Sequence, residues 1–262
     1  MRNPNWTRNE TLVAFYFHSK LLYNEVTETH PDVIRLSELL PERSVGSVKA
    51  KLGNIHSRSP VTIAKGHVGV SHASRLDEEI WEEYEVDPDG VISQAIDAMK
   101  SFGCEKGEFI VGSDALFEGE DIVVNAKRRL HQNIFRNEIL KAYDGRCCVT
   151  GISDPNILNA SHIKPWVNSN GKEKTSVSNG LCLNLLHDRL FDRGMITVDS
   201  RYRLIFSEKL QNALDRGMYD SFETFVGKDE QTLFLDNVPE KLRPDRKFLS
   251  YHNECIFLDN NI

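Results

Sequence analysis

The chain has 262 residues, 40% of them apolar and 27% charged, which is ordinary for folded proteins with one sizeable core or two small ones and excludes a disordered tail. A net charge of −7 argues against a uniformly basic polyanion binder, although segregated charges would escape that argument. "MRNPNWTRNE" lacks the layout of a signal peptide and "LVAFYFHSKLL" is too short to span a bilayer, so a cytoplasmic chain with no membrane partner is expected.

The first predicted element follows Thr7-x-x-Glu10, a capping box, with Leu12, Val13, Phe15, Tyr16, Ser19 and Leu22 as its apolar stripe. Pro31, Pro41 and Ser44-x-x-Ser47 punctuate two further short helices, "PDVIRLSELL" and "SVGSVKAKLGNI", giving a three-helix module over residues 1–60. Lys49 and Lys51 fall on the polar side of Val45, Val48 and Leu52, as expected of a helix laid on DNA; a plain bundle with solvated lysines is the alternative. From Arg43 to Arg75 there are six Lys or Arg and no acid, whereas "LDEEIWEEYEVDPDG" carries eight acids and no base and reads as a solvated face.

Residues 61–125 are expected to connect. "EIWEEY" and "VISQAIDAMKSF" read as helices, and "EFIVGSDALFEGEDIVV" as a hairpin or loop. The third part, 126–262, opens with a basic amphipathic helix whose apolar side is Leu130, Ile134, Ile139 and Leu140. Next come "RCCVTG", a short strand into a Gly turn, then the strand "ILNASHI", a loop from Lys164 to Ser178, and a helix from about Leu185 to Arg193. On that helix Asp188 and Asp192 are four apart and share a face. Two like charges so placed favour a cation between them, and carboxylate oxygens suit a hard ion such as Mg²⁺ or Mn²⁺. The five cysteines, Cys104, Cys147, Cys148, Cys182 and Cys255, form no CxxC pair and predict buried, reduced thiols.

"RCCVTGI", "ASHIKPW", "NGLCL" and "LHDRLFDRG" resemble, in order and spacing, the HNH endonuclease family with its ββα-metal fold, in the branch found in restriction enzymes. The resemblance covers roughly residues 126–262, and the first 60 residues look more loosely like a helical module that accompanies such nucleases. It implies an α+β protein: an N-terminal three-helix module that reads DNA (1–60), a connector (61–125) and a C-terminal HNH nuclease domain (126–262). His162 matches the family's general base and Asn179 the amide that orients it. Asp188 and Asp192 stand at the ligand positions where many members have histidine, and Ser161 fills a slot that is often a ligand. His187 either replaces Asp188 as ligand or faces the scissile phosphate. Lys164, Arg189 and Arg193 lie near enough in sequence to touch backbone phosphates.

One divalent ion per site, Mg²⁺ or Mn²⁺, is implied, with no structural zinc, since the CxxC pairs of other members are absent. The implied activity is metal-dependent hydrolysis of double-stranded DNA in a restriction or antiphage defence role, sequence-specific or modification-dependent. A DNA-binding regulator that retains an inactive HNH fold is the alternative. One such site cuts one strand, so a homodimer is expected, formed through the middle or C-terminal segments, where Phe248, Leu249, Tyr251, Ile256 and Phe257 cluster.

Overall fold

The Thr7 capping box forms as expected: Thr7 Oγ1 accepts from the Glu10 amide at 3.2 Å while the Glu10 carboxylate accepts from the Thr7 amide at 2.7 Å. It starts α1 (Arg8–Ser19), in which every residue from Glu10 to Ser19 is buried. The apolar stripe is therefore only part of the story, because Phe17 and Ala14 widen it until the helix is enclosed on all sides. The structure, a computed structural model, describes residues 5–66, 74–104, 120–218 and 226–259, without the side chains of 120–123.

Around α1 pack α2 (Pro31–Leu39), α3 (Val45–Ser57), α5 (Arg75–Val86) and α6 (Pro88–Ser101), and the same unit holds the short α4 (Pro60–Ala64), packed on α3, and the first part of α7 (Glu120–Ala142). Phe15 of α1 meets Trp81 of α5 edge-on, with ring centroids 5.0 Å apart, and the Trp81 indole donates to the Ile55 carbonyl at 2.8 Å. Ile92 and Ile96 of α6 and Leu130 and Ile134 of α7 enter the same core. Residues expected to connect thus share one core with residues 1–60, and the chain divides into compact units at Met1–Asn137 and Glu138–Ile262. The expected hairpin or loop at 108–124 falls outside the described residues up to 119, and from Glu120 it is helical.

The segregated charges meet in this first unit. Lys51 pairs with Asp77, Arg58 with Glu78 at 3.8 Å and Arg75 with Glu79 at 2.8 Å, while Arg43 is buried against Glu10 at 2.8 Å. The acidic run is therefore in part a counter-ion surface for the acid-free stretch rather than only a solvated face.

In the second unit "RCCVTG" is a turn, not a strand. The Cys147 amide donates to Ile152 O and the Gly151 amide back to Cys147 O, both at 2.8 Å, with Gly151 at φ 72°. The strand that pairs with β1 (Leu158–His162) is instead β2 (Gly180–Asn184), antiparallel, with His162 opposite Gly180 and Leu158 opposite Asn184. Between them lies α8 (Gly171–Thr175), and after them come α9 (Leu185–Asp192), the hairpin β3 (Ile196–Val198) and β4 (Leu204–Phe206), α10 (Glu208–Asp215) and α11 (Arg246–Cys255). Gly194 ends α9 at φ 65°, where a Cβ would lie 2.1 Å from Ile256 O, so only glycine lets the chain pass. Cys104, Cys147, Cys148 and Cys182 are buried free thiols and Cys255 is exposed.

Phe248, Leu249 and Phe257 are buried inside this unit. Of the apolar cluster expected at a dimer surface, three of the five members therefore close the core, leaving Tyr251 and Ile256 half-buried. Among the described residues no helix is long and apolar enough to cross a membrane.

Candidate active site

The site is built where β1 ends and α9 begins. Asn184 caps α9, its Oδ1 accepting from the His187 amide at 3.0 Å, and its Nδ2 donates to Thr150 Oγ1 at 3.2 Å. Period-two alternation puts Asn159 and Ser161 on one side of β1, and both reach α9: Asn159 Nδ2 donates to Asp188 at 2.7 Å and the Ser161 hydroxyl donates to its other oxygen. His162, the next residue, projects to the other side of the strand end. The base, His162, is thereby the strand neighbour of Ser161, which holds the Asp188 carboxylate of α9.

His162 Nε2 lies 2.8 Å from Lys174 O. A carbonyl only accepts, so Nε2 carries the proton and Nδ1 the lone pair. Burial pushes the imidazole below its ordinary value of about 6.5, against the opposing pull of the Lys174 carbonyl. Trp166 packs edge-on to the ring at 5.8 Å.

Asn179 is 0% exposed and spends its whole amide on the loop that carries this carbonyl. Its Oδ1 accepts from the Lys164 amide at 2.8 Å, and its Nδ2 donates to Glu173 O at 3.0 Å and Lys164 O at 3.2 Å. Both ends of the 164–173 loop are tied to one side chain, which fixes where Lys174 O meets His162.

Asp192, one turn after Asp188, is exposed at the end of α9. Crowding by protein atoms, and then the Asp188 carboxylate, push its carboxyl above the usual range, against the opposing pull of Arg189 and Arg193. Among the described residues no cluster of three or more His, Cys, Asp or Glu side chains forms. A cation here would have two protein carboxylates and complete its shell with water and phosphate oxygens, the habit of Mg²⁺. The donor set fits that ion.

His187 is corrected. It is 0% exposed, with its ring nitrogens 3.0 Å from Asn184 Oδ1 and 2.9 Å from Val226 O, so it faces the interior, where neither a metal nor a phosphate reaches it. Burial also lowers its pKa. Lys51 is corrected too: it is 2% exposed, paired with Asp77, and burial lowers its ammonium below the ordinary lysine range. Lys49 is exposed but pairs with Glu28 at 3.4 Å, and both lysines belong to the first unit. Lys164 is bound to Glu173 at 2.7 Å, whereas Arg189 and Arg193 are exposed on and just after α9.

Asn159 was missed by the sequence reading, although its position two residues before Ser161 on a strand was a usable signal. The Lys174 carbonyl, a backbone group, had no sequence signal.

A strand, its antiparallel partner and a capped helix that together present an imidazole and two carboxylates define a ββα site. Residues 147–199, about a fifth of the chain, match the family model described as HNH endonuclease, and this supports the HNH family for that part. Among curated proteins none matches the chain.

Proposed function

We propose that the second unit is a metal-dependent endonuclease that hydrolyses phosphodiester bonds of double-stranded DNA. The observation that carries this reading is the His162–Lys174 O hydrogen bond, held in place by the fully engaged Asn179. It presents Nδ1 unprotonated near pH 7, as a general base for water requires. His162 Nδ1 takes the proton of a water as its oxygen attacks phosphorus, and the P–O bond to the leaving alkoxide breaks. Asp188, kept in place by Asn159 and Ser161, and Asp192 would hold one Mg²⁺ or Mn²⁺. When bound, that ion supplies charge neutralisation for the phosphate and the leaving oxygen. Arg189 and Arg193, exposed on and just after α9, would contact flanking phosphates.

The finer reading, a restriction or antiphage enzyme acting as a homodimer, rests on the sequence resemblance and on the need for two sites in a double-strand cut. The first unit as reader of a sequence or modified base remains part of the proposal, but α3 no longer supports it, since its two lysines, Lys49 and Lys51, both have acidic partners. Incubating the chain with unmodified, methylated and hydroxymethylated DNA, with Mg²⁺ or EDTA, tests the activity. Mg²⁺-dependent ends are expected; binding without cleavage under every condition would favour a regulator with an inactive nuclease fold.

A further inference from the structure

On the second unit a cavity of about 290 Å³ opens beside the Cys147–Gly151 turn, and none of the proposed catalytic or metal-holding residues lines it. Its rim carries Phe234, 56% exposed, together with the exposed Arg146, Asp236 and Asn237. Among the described residues Arg146 is paired with no carboxylate. An exposed aromatic ring is unremarked on a loose loop, but this one sits on a fastened backbone. The Phe234 amide donates to Cys148 O at 2.7 Å, and Arg243 donates to Leu235 O at 3.2 Å and Val238 O at 3.1 Å. The backbone that carries the ring is fixed by the fold.

A ligand that suits this lining is planar, with a π face for Phe234 and an edge carrying both donors and acceptors. A guanidinium donates to ring nitrogen and carbonyl acceptors, a carboxylate accepts from exocyclic amino groups, and an amide does both, the kit by which side chains read bases. The volume is at the small end of ligand pockets and admits one ring system. The wall is also tied to the catalytic hairpin. Tyr143, on the wall, donates from its hydroxyl to Gly180 O at 3.1 Å, and Cys148 donates to Cys182 O at 2.8 Å. Gly180 is the residue opposite His162 in the ladder. The cavity is thus separated from His162 by β2 and the turn on its outer edge, on the order of two strand spacings, about 10 Å. That is the span of a few nucleotides at about 3.4 Å rise each.

We propose that this cavity takes one unstacked nucleobase of the DNA strand held at the active site. The inference rests on the endonuclease reading for the identity of the strand, and its chemistry is shared by a base extruded from a duplex and one in an open strand.

The test places 2-aminopurine at successive positions around the cut in single-stranded and duplex oligonucleotides, bound to the full chain in EDTA. One position is expected to change its emission on binding, and the change to be lost in Phe234→Ala and Arg146→Gln, with DNA affinity falling about tenfold, as when one stacking partner is removed. Hydrolysis of bis(4-nitrophenyl) phosphate, which needs the catalytic groups but no base contact, should be unaltered in both variants. A response in duplex as well as single strands identifies an extruded base; a response in single strands alone identifies an open one. No response at any position, or one that survives both substitutions, overturns the proposal. If wild-type protein fails to hydrolyse the small ester while the Phe234-dependent response persists, the endonuclease reading fails and the nucleobase site stands.

Discussion

Burial sets the charge of His162, and its charge sets the pH at which it can act as a base. Because the folded ring has its pKa lowered, protonation is delayed on acidification, so the acid limb of the cleavage rate should have its midpoint below about 6.5. Single-turnover rates from about pH 5 to 8 check this, and a midpoint above the ordinary histidine value would contradict the burial argument. Asn179 acts at one remove, through the carbonyls it ties down. Asn179→Ala leaves Glu173 O and the Lys164 backbone without their partner, which should cost about 1–3 kcal/mol of stability and slow turnover. Asn179→Asp keeps the acceptor for the Lys164 amide but loses the donors. Urea denaturation of both variants beside their rates separates the two effects: a rate unchanged in a destabilised Asn179→Ala would remove its orienting role.

At the scale of elements, the site depends on α9 being held to β1 through Asp188. Asp188→Ala should weaken Mn²⁺ binding by at least about tenfold, and Asn159→Ala, which only steadies that carboxylate, by about tenfold. Calorimetric titration of Mn²⁺ measures both, and unchanged affinity in Asp188→Ala would move the cation elsewhere. In the first unit, α3 and α5 are joined by Lys51 and Asp77. Lys51→Met strands a buried carboxylate and should cost about 3–5 kcal/mol, much of it recovered by adding Asp77→Leu, whereas the salt dependence of DNA binding should not change. A shallower salt slope in Lys51→Met would restore it as a phosphate contact.

The same elements show what a sequence can carry. The Thr7–Glu10 cap, the helices around Val33 and Leu52, and α9 with its carboxylates four apart were legible because caps and periodicity act within a few residues. The partner of β1 was not: "RCCVTG" and "NGLCLN" are equally short, apolar runs, and only the closure of Cys147 on Ile152 decides which becomes the turn. His187 and Lys51 were misplaced for a related reason. Their neighbours, Val226 and Asp77, are 39 and 26 residues away, and no local pattern announces a contact at that range.

For the molecule as a whole, stability should depend on pH through its buried histidines. His252 is stacked on Phe191 at 3.7 Å, and burial lowers its pKa to about 4. The unfolded chain binds a proton at about 6.5 that the folded ring refuses until about 4, so full stability is present above about 6.5 and is lost progressively as pH falls between those values. The loss from this ring alone should be about 3 kcal/mol, with His187 and His162 adding in the same direction. Thermal melts across that window test it, and His252→Gln should flatten the dependence. Oligomeric state belongs to this scale too. Each chain holds one candidate site, so the homodimer proposal requires dimers in light scattering and linear plasmid from the outset; a monomer that accumulates nicks before breaks would end it.

The central claim is that His162 activates water for phosphodiester hydrolysis. It is tested most directly by the single-turnover rate of supercoiled plasmid cleavage in Mn²⁺ by wild-type protein and His162→Ala at equal DNA occupancy. The predicted result is metal-dependent cleavage that falls by about two to four orders of magnitude in the variant while binding is retained. Equal rates in the two proteins, or no cleavage by wild type, would contradict it.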